Sequence, residues 1–289
     1  MKPRWWETES GQGLETVYRC GLCSRRCRLP VGRMGYCGVR GADETGFISP
    51  YLGRFCSAAV DPIEKKPLYH WRSGSRIFSL GSLGCTMACP FCQNHTIARP
   101  DASARVALTA LSPQELAVRA AGLGLASVAY TYNEPTVQAE YILDAAPVLE
   151  AAGLATVLVT NGQISPAALA DLAPWVAAAN VDIKTFNSET YAHLGGSLAA
   201  AQNTVAELLA AGSHVEITTL VVPGLSDDPD EFAALVDWAA GLSPELPLHI
   251  SRYFPAFNYT APPTDLSVLI RFQGLAAARL KHVHLGNVR

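Results

Sequence analysis

From about Ile77 onward the chain alternates short β-rich apolar runs with longer Ala- and Leu-rich stretches, a pattern that fits a parallel sheet wrapped by helices. Six strands are expected, at 77–84, 127–134, 155–162, 180–185, 214–224 and 247–256, with a weaker seventh run, HVHLGNV, further on. Between them SPQELAVRAAGLG, VQAEYILDAAPVLEAAG, SPAALADLAPWVAAA, SLAAAQNTVAELLAAG and DPDEFAALVDWAAG carry helical apolar spacing. Ser or Asp starts and several Gly stops support those helices. Six or seven β/α units with polar residues where strands end predict a full or partial barrel, with its site at the C-terminal mouth.

The strand ends that could face this mouth are Asn133-Glu134, Thr160-Asn161-Gly162, Asp182 with Lys184, Glu216 with Thr218, and His249 with Arg252. Thr-Asn-Gly after a strand is also ordinary turn chemistry. Tyr130 and Tyr132 alternate on one expected strand, so both should point to the same face, into the barrel. Residues 1–75 are rich in Gly, Arg and Cys with little periodicity, and form a separate N-terminal element and linker ahead of a core at 76–289. That element holds too little apolar sequence for its own core, so a metal or docking must stabilise it. Within it, Lys65, Lys66, Tyr69 and His70 either line the mouth or are solvated.

With 22 Lys+Arg against 25 Asp+Glu, the net charge of -3 offers no basic surplus for phosphates, which disfavours nucleic-acid partners. The start MKPRWWETES lacks a signal-peptide core and no long uncharged apolar run follows, so the reading is a protein without membrane association. Eight cysteines lie at 20, 23, 27, 37, 56, 85, 89 and 92, clustered as metal ligands in a reducing compartment are, and cytoplasmic location follows.

Cys85-x3-Cys89-x2-Cys92 follows an apolar strand. Three thiolates on one loop can ligate three irons of a cubane and leave the fourth open. Zinc would need a fourth ligand, with His95 the local candidate. Cys20-x2-Cys23-x3-Cys27-x9-Cys37 supplies four soft ligands among glycines, which reads as a second metal site for structural zinc or an auxiliary iron-sulfur cluster, with reduced, unligated thiols as the third alternative. Cys56 has no spacing partner and is given no role.

Cys85, Cys89, Phe91 and Cys92 match the Cys-x3-Cys-x-aromatic-Cys signature, and the chain resembles the radical S-adenosylmethionine (SAM) superfamily. More narrowly it is similar to radical SAM enzymes of the AmmeMemoRadiSam system, relatives of pyruvate formate-lyase activating enzymes. The resemblance runs through CGLCSRRCRLPVGRMGYCGVRG, VDPIEKKPLYHW, CTMACPFCQN, AYTYNEPT, VTNG, VDIK, VVPG, HISRYFP and HLGNV.

The resemblance implies a radical SAM partial (β/α)6 TIM-like barrel with a small Cys-rich N-terminal element. It implies a [4Fe-4S] cluster whose unique iron takes the amino and carboxylate groups of SAM, and reductive cleavage to methionine and a 5'-deoxyadenosyl radical. That radical abstracts hydrogen from an unidentified protein, peptide or small-molecule substrate, with flavodoxin or ferredoxin as a fitting electron donor. Phe91 and Asn94 would lie near SAM, with Asn133, Glu134, Thr160, Asn161 and Asp182 forming its cradle. Of the catalytic candidates, Lys184 would pair with the SAM carboxylate or with substrate, and His249 and Arg252 would act as substrate contacts or acid-base groups. Val159 stands where activating enzymes carry the first Asp of Asp-Thr-Asn-Gly, which puts a monovalent cation site in doubt. A Cys-Pro-x-Cys continuation seen in many AmmeMemoRadiSam members is not present before Arg289. The competing class is a non-catalytic zinc-binding interaction module.

Overall fold

The computed structural model describes residues 2–10, 16–99 and 106–288. Its main sheet has eight strands: β1 (Ser57–Pro62), β2 (Arg76–Gly81), β3 (Ser127–Tyr130), β4 (Ala155–Thr160), β5 (Val176–Asp182), β6 (His214–Val221), β7 (Leu248–Arg252) and β8 (Val283–Gly286). They lie side by side in the order β8-β7-β6-β5-β4-β3-β2-β1. β2 to β8 are parallel, and β1 pairs antiparallel with β2. The expected repeats therefore stand in chain order, giving the parallel α/β frame of a partial barrel with the seventh run included.

The connecting helices are α1 (Pro113–Gly122), α2 (Ala139–Ala151), α3 (Pro166–Leu172), α4 (Ser188–His193), α5 (Leu198–Ala210), α6 (Pro229–Leu242) and α7 (Leu266–Ala277). Ser112 and Glu115 form a reciprocal capping box at α1, and Ser165, Ser197 and Asp228 cap α3, α5 and α6. Such caps supply acceptors to first-turn amides that have no intrahelical partner. Three helices add to the five read from the sequence: α4, α7 and the four-residue His95–Ala98. Among the described residues, no helix is long and apolar enough to cross a membrane.

β5 begins at Val176, four residues before the expected strand. The Ala-rich run Val176–Ala179 reads as a helix end, but α3 stops at Leu172 and a short 3-10 turn, Ala173–Trp175, redirects the chain. Pairing with β4 and burial override helix propensity there.

Two apolar layers hold the sheet. The larger lies between sheet and helices, where Leu158, Val181 and Ile217 pack with helical Leu149, Leu169 and Val205. The smaller joins Ile77, Ala129, Val157 and Ala178 of four strands to Ile63 and Leu68 of the β1–β2 connection. That connection closes one end of the sheet's concave face: Pro67 O accepts from Asn180 Nδ2 at 2.9 Å.

The segment before β1 carries a three-stranded antiparallel sheet (Trp6–Ser10, Thr16–Cys20, Arg28–Pro30) and a hairpin, Gly41–Asp43 with Gly46–Ile48. Cys20, Leu22, Leu29 and Phe47 from it join the larger layer, so it is docked onto the main body rather than built on its own core.

Tyr130 and Tyr132 part company, contrary to the expectation of one shared face. β3 ends at Tyr130, whose ring packs against Phe55 and Tyr141 of α2. Tyr132 adopts φ 71° and turns its hydroxyl to Asp61, 2.6 Å away.

Candidate active site

The loop from Ser82 to Asn94 leaves β2 and carries Cys85, Cys89 and Cys92. Asn133 anchors its start, accepting from Ser82 N at 2.9 Å and donating to Gly84 O at 2.8 Å. Gly84 has φ 91°, and a Cβ there would lie 2.7 Å from Cys37 O and from Val39. Both the left-handed backbone and this close approach require glycine. At the loop's far end, Asn94 Nδ2 donates to Tyr132 O at 2.7 Å, and the His95 ring stacks on Phe257 at 4.5 Å between centroids.

Glu134 organises the neighbouring strand end. It is buried, and its carboxylate accepts from Thr160 Oγ1 (2.6 Å), Asn161 N (2.8 Å) and Thr136 N (3.0 Å). Burial raises its pKa and those hydrogen bonds oppose the rise. Asn161 in turn accepts from Thr86 Oγ1 at 3.1 Å and sets its amide 3.5 Å from Cys85 Sγ. Beyond β5, Lys184 Nζ donates to Asp182 at 2.8 Å. Burial opposes the Lys184 charge, but Asp182 and Cys89 outweigh it and hold the ammonium above its ordinary range.

These elements surround one cavity of about 440 Å³, lined by Cys85, Cys89, Cys92, Asn133, Glu134 and Asp182, among others. Phe91, Asn94, Asn161 and Lys184 also line it, as do Lys65 and Lys66. That is the size of a cofactor pocket. Burial pushes the Cys89 thiol up to about 11 and raises Cys85 and Cys92. Three half-buried soft sulfurs on one loop, without a fourth cysteine beside them, fit an iron-sulfur cluster with one open iron. A cationic centre taking the sulfurs as thiolates would offset that burial penalty.

Two expected residues stand elsewhere. His249 is the second residue of β7 and Glu216 the third of β6, so both lie toward the strands' N-terminal ends, away from the mouth. There His249 Nε2 lies 2.6 Å from Glu216 Oε2, and Glu216 accepts from the amides of Tyr69 (3.0 Å) and His70 (2.8 Å). Arg252 does end its strand, yet its Nε donates to Thr264 O at 2.8 Å and its guanidinium lies over Phe254. Thr160 acts through Glu134 rather than lining the cavity. Lys65 and Lys66 reach the cavity, whereas Tyr69 and His70 pack at the opposite end with His249 and His284.

Asp61 is a site residue that motif and spacing do not single out. It bonds Lys66 Nζ at 2.8 Å and Tyr132 Oη at 2.6 Å beneath the cavity. Burial opposes its charge, but Lys66 and Tyr132 hold its carboxyl below the usual range. The sequence offers no signal for it beyond its place in the stretch VDPIEKKPLYHW.

A family model described as the Radical SAM superfamily matches residues 80–239. An uncharacterized protein of Methanocaldococcus jannaschii, MJ0808, is 34% identical over 276 residues, covering 93% of this chain and 81% of that protein. Among solved structures, Streptococcus suis SuiB bound to S-adenosylmethionine superposes with TM-score 0.55 and 17% identity over 71% of this chain and 48% of its own. The chain thus spans about half the length of SuiB. A radical SAM methyltransferase from Sphaerobacter thermophilus superposes with TM-score 0.54 and 15% identity, covering 97% of this chain and 76% of its own.

Proposed function

The chain belongs to the Radical SAM superfamily, and from that premise we propose that Cys85, Cys89 and Cys92 hold a [4Fe-4S] cluster beside a bound SAM. When bound, that pair supplies one-electron cleavage of the sulfonium C–S bond, giving methionine and a 5'-deoxyadenosyl radical that abstracts hydrogen. Superfamily membership makes the protein an enzyme. The observation that carries the reading is the convergence of three thiols from one loop with the polar ends of three strands on one cofactor-sized cavity.

The chain's own groups then divide the work. Asn133 holds the cysteine loop to the turn that follows β3, and Glu134 holds the Thr160-Asn161 turn so that Asn161 faces Cys85. Asp182 offers an acceptor to the SAM ammonium, and Lys184, bonded to it at 2.8 Å, a donor to the SAM carboxylate or to substrate. Phe91 and Asn94 border the cavity where the nucleoside would lie. His249 and Arg252, bonded to Glu216 and Thr264, take no part in this reading.

We infer a place close to the AmmeMemoRadiSam enzymes and pyruvate formate-lyase activating enzymes. The hydrogen donor is then a glycyl position of a protein, another peptide position or a small molecule, and flavodoxin or ferredoxin supplies the electron. SuiB, which shares the fold, has been solved bound to its precursor peptide SuiA. Eight free cysteines suit a reducing cytoplasm.

Anaerobic reconstitution with iron and sulfide tests the ligand assignment. The brown protein should carry about four irons at this loop, and Cys89→Ala should lose them together with the colour of that cluster. Retention of the full iron content and colour by Cys89→Ala would sink the assignment.

A further inference from the structure

The second cysteine cluster meets around a cavity of a very different size. Cys20, Cys23, Cys27 and Cys37 all line a space of about 10 Å³. That is room for about one water-sized guest, against about 440 Å³ at Cys85, Cys89 and Cys92. The smaller space is the size of one ion seated among four thiols. We propose that Cys20, Cys23, Cys27 and Cys37 bind a single Zn²⁺ as a tetrathiolate, independently of the cluster reading, and that this ion braces the wall of the radical site.

The local backbone is already turned for it. Arg26 N donates to Cys23 O at 3.2 Å with Arg26 at φ 47°, and Cys20 N donates to Cys27 O at 2.9 Å. Gly38 N donates to Gly35 O at 2.9 Å with Gly38 at φ 75°, bending the chain on either side of Cys37. Four sulfurs presented by two tight turns form the donor set and the architecture of a closed zinc site. Among the described residues no three Cys, His, Asp or Glu side chains stand as a metal-holding group, here or at Cys85, Cys89 and Cys92, and ion binding would have to bring the four sulfurs together.

A second observation points to the same charge state. Arg40 is 1% exposed and lines this cavity. Its Nη1 donates to Glu140 at 2.6 Å and its Nη2 to Arg4 O at 2.6 Å, while its Nε is buried without a partner. Cys20 stands beside that guanidinium. A metal-bound Cys20 thiolate is the acceptor that the orphaned N–H lacks, and a buried cation offsets the net negative charge of a zinc tetrathiolate.

The bracing follows from what the turns touch. Ser165 N donates to Leu22 O (2.8 Å), Arg25 to Gly195 O (2.7 Å) and Arg99 to Tyr36 O (2.7 Å). Thr86, between Cys85 and Met87, lines the small cavity while its hydroxyl bonds Asn161. One ion therefore fixes the surface on which the Cys85 loop rests.

The test uses the full chain with Cys85, Cys89 and Cys92 all changed to Ala, purified and assayed for zinc, iron and sulfide. About one zinc per chain is expected, with iron and sulfide near zero, and zinc should fall to near zero when Cys27→Ser or Cys37→Ser is added. Replacing zinc by Co²⁺ in the triple variant should give the intense visible bands of a tetrahedral cobalt thiolate. Chelation should accelerate proteolysis within residues 1–56 without requiring any further substitution. Stoichiometric iron and sulfide in the triple variant, or absence of zinc together with absence of the cobalt thiolate spectrum, would overturn the proposal.

Discussion

Thr160 Oγ1 donates to Glu134 Oε1 at 2.6 Å, joining the end of β4 to the turn that follows β3. With Asn161 N on the other carboxylate oxygen, this bond fixes the direction in which Asn161 faces Cys85. Thr160→Val removes the donor and leaves a buried carboxylate oxygen short of one partner, which costs about 1–3 kcal/mol. Urea unfolding should register that loss, and the affinity of the cluster-loaded protein for SAM should fall in parallel. Undiminished stability and SAM affinity would mean that the bond positions nothing.

Asn133→Ala cuts the loop's anchor at Ser82 and Gly84 while leaving all three cysteines in place. Iron retained per chain after gel filtration should drop below that of the unaltered protein. The far-ultraviolet circular dichroism spectrum should be unchanged, because Asn133 bonds the loop and not the sheet. Equal iron retention would contradict the anchoring role.

Gly84→Ala places a methyl 2.7 Å from Cys37 O and Val39 at a residue with φ 91°. Left-handed strain and overpacking each cost on the order of 1–3 kcal/mol. The melting temperature should therefore fall, and both metal contents should fall with it, since the clash lies where the two cysteine segments touch.

Acid should weaken the end of the sheet opposite the site. His70 and His284 face one another at 2.8 Å, with His249, His282, His214 and Glu216 around them. Burial, opposed by Glu216 and joined by the neighbouring imidazoles, holds both imidazoles below their ordinary pKa. The unfolded chain takes up these protons near about pH 6.5, so stability is lost as pH falls from there through the lowered native values. For Glu216, burial opposes ionisation, but His214, His249 and two backbone amides outweigh it and lower its pKa. Its contribution is full above about pH 4.3 and is lost as pH falls toward the lower native value. Melting temperature should decline between about pH 7 and 5, more steeply than in His284→Gln, and a flat profile would contradict the assignment.

Much of the fold is legible in the amino-acid sequence alone. Period and spacing locate β2, β4, β6 and β7 because buried parallel strands are apolar runs between helical ones. The convergence of the cysteine triplet on one loop is legible because its three sulfurs are local in sequence. What escapes depends on register and on distant partners. Whether His249 faces the mouth depends on its being second rather than last in a five-residue strand. Arg252 is last, and is diverted by Thr264, twelve residues on. Val176–Ala179 carry helix formers in a strand, and Tyr132 leaves the strand pattern through a positive φ that its side chain does not announce. Likewise, nothing in spacing alone separates a cavity of about 10 Å³ from one of about 440 Å³.

The central claim is that the three cysteines around the large cavity support reductive cleavage of SAM. The direct measurement incubates the anaerobically reconstituted protein with SAM and dithionite and follows 5'-deoxyadenosine and methionine by chromatography, beside Cys89→Ala. Both products, in near-equal amounts, are expected from the unaltered protein and neither from the variant. Equal product from the variant, or a fully loaded cluster that neither cleaves nor binds SAM, would contradict it.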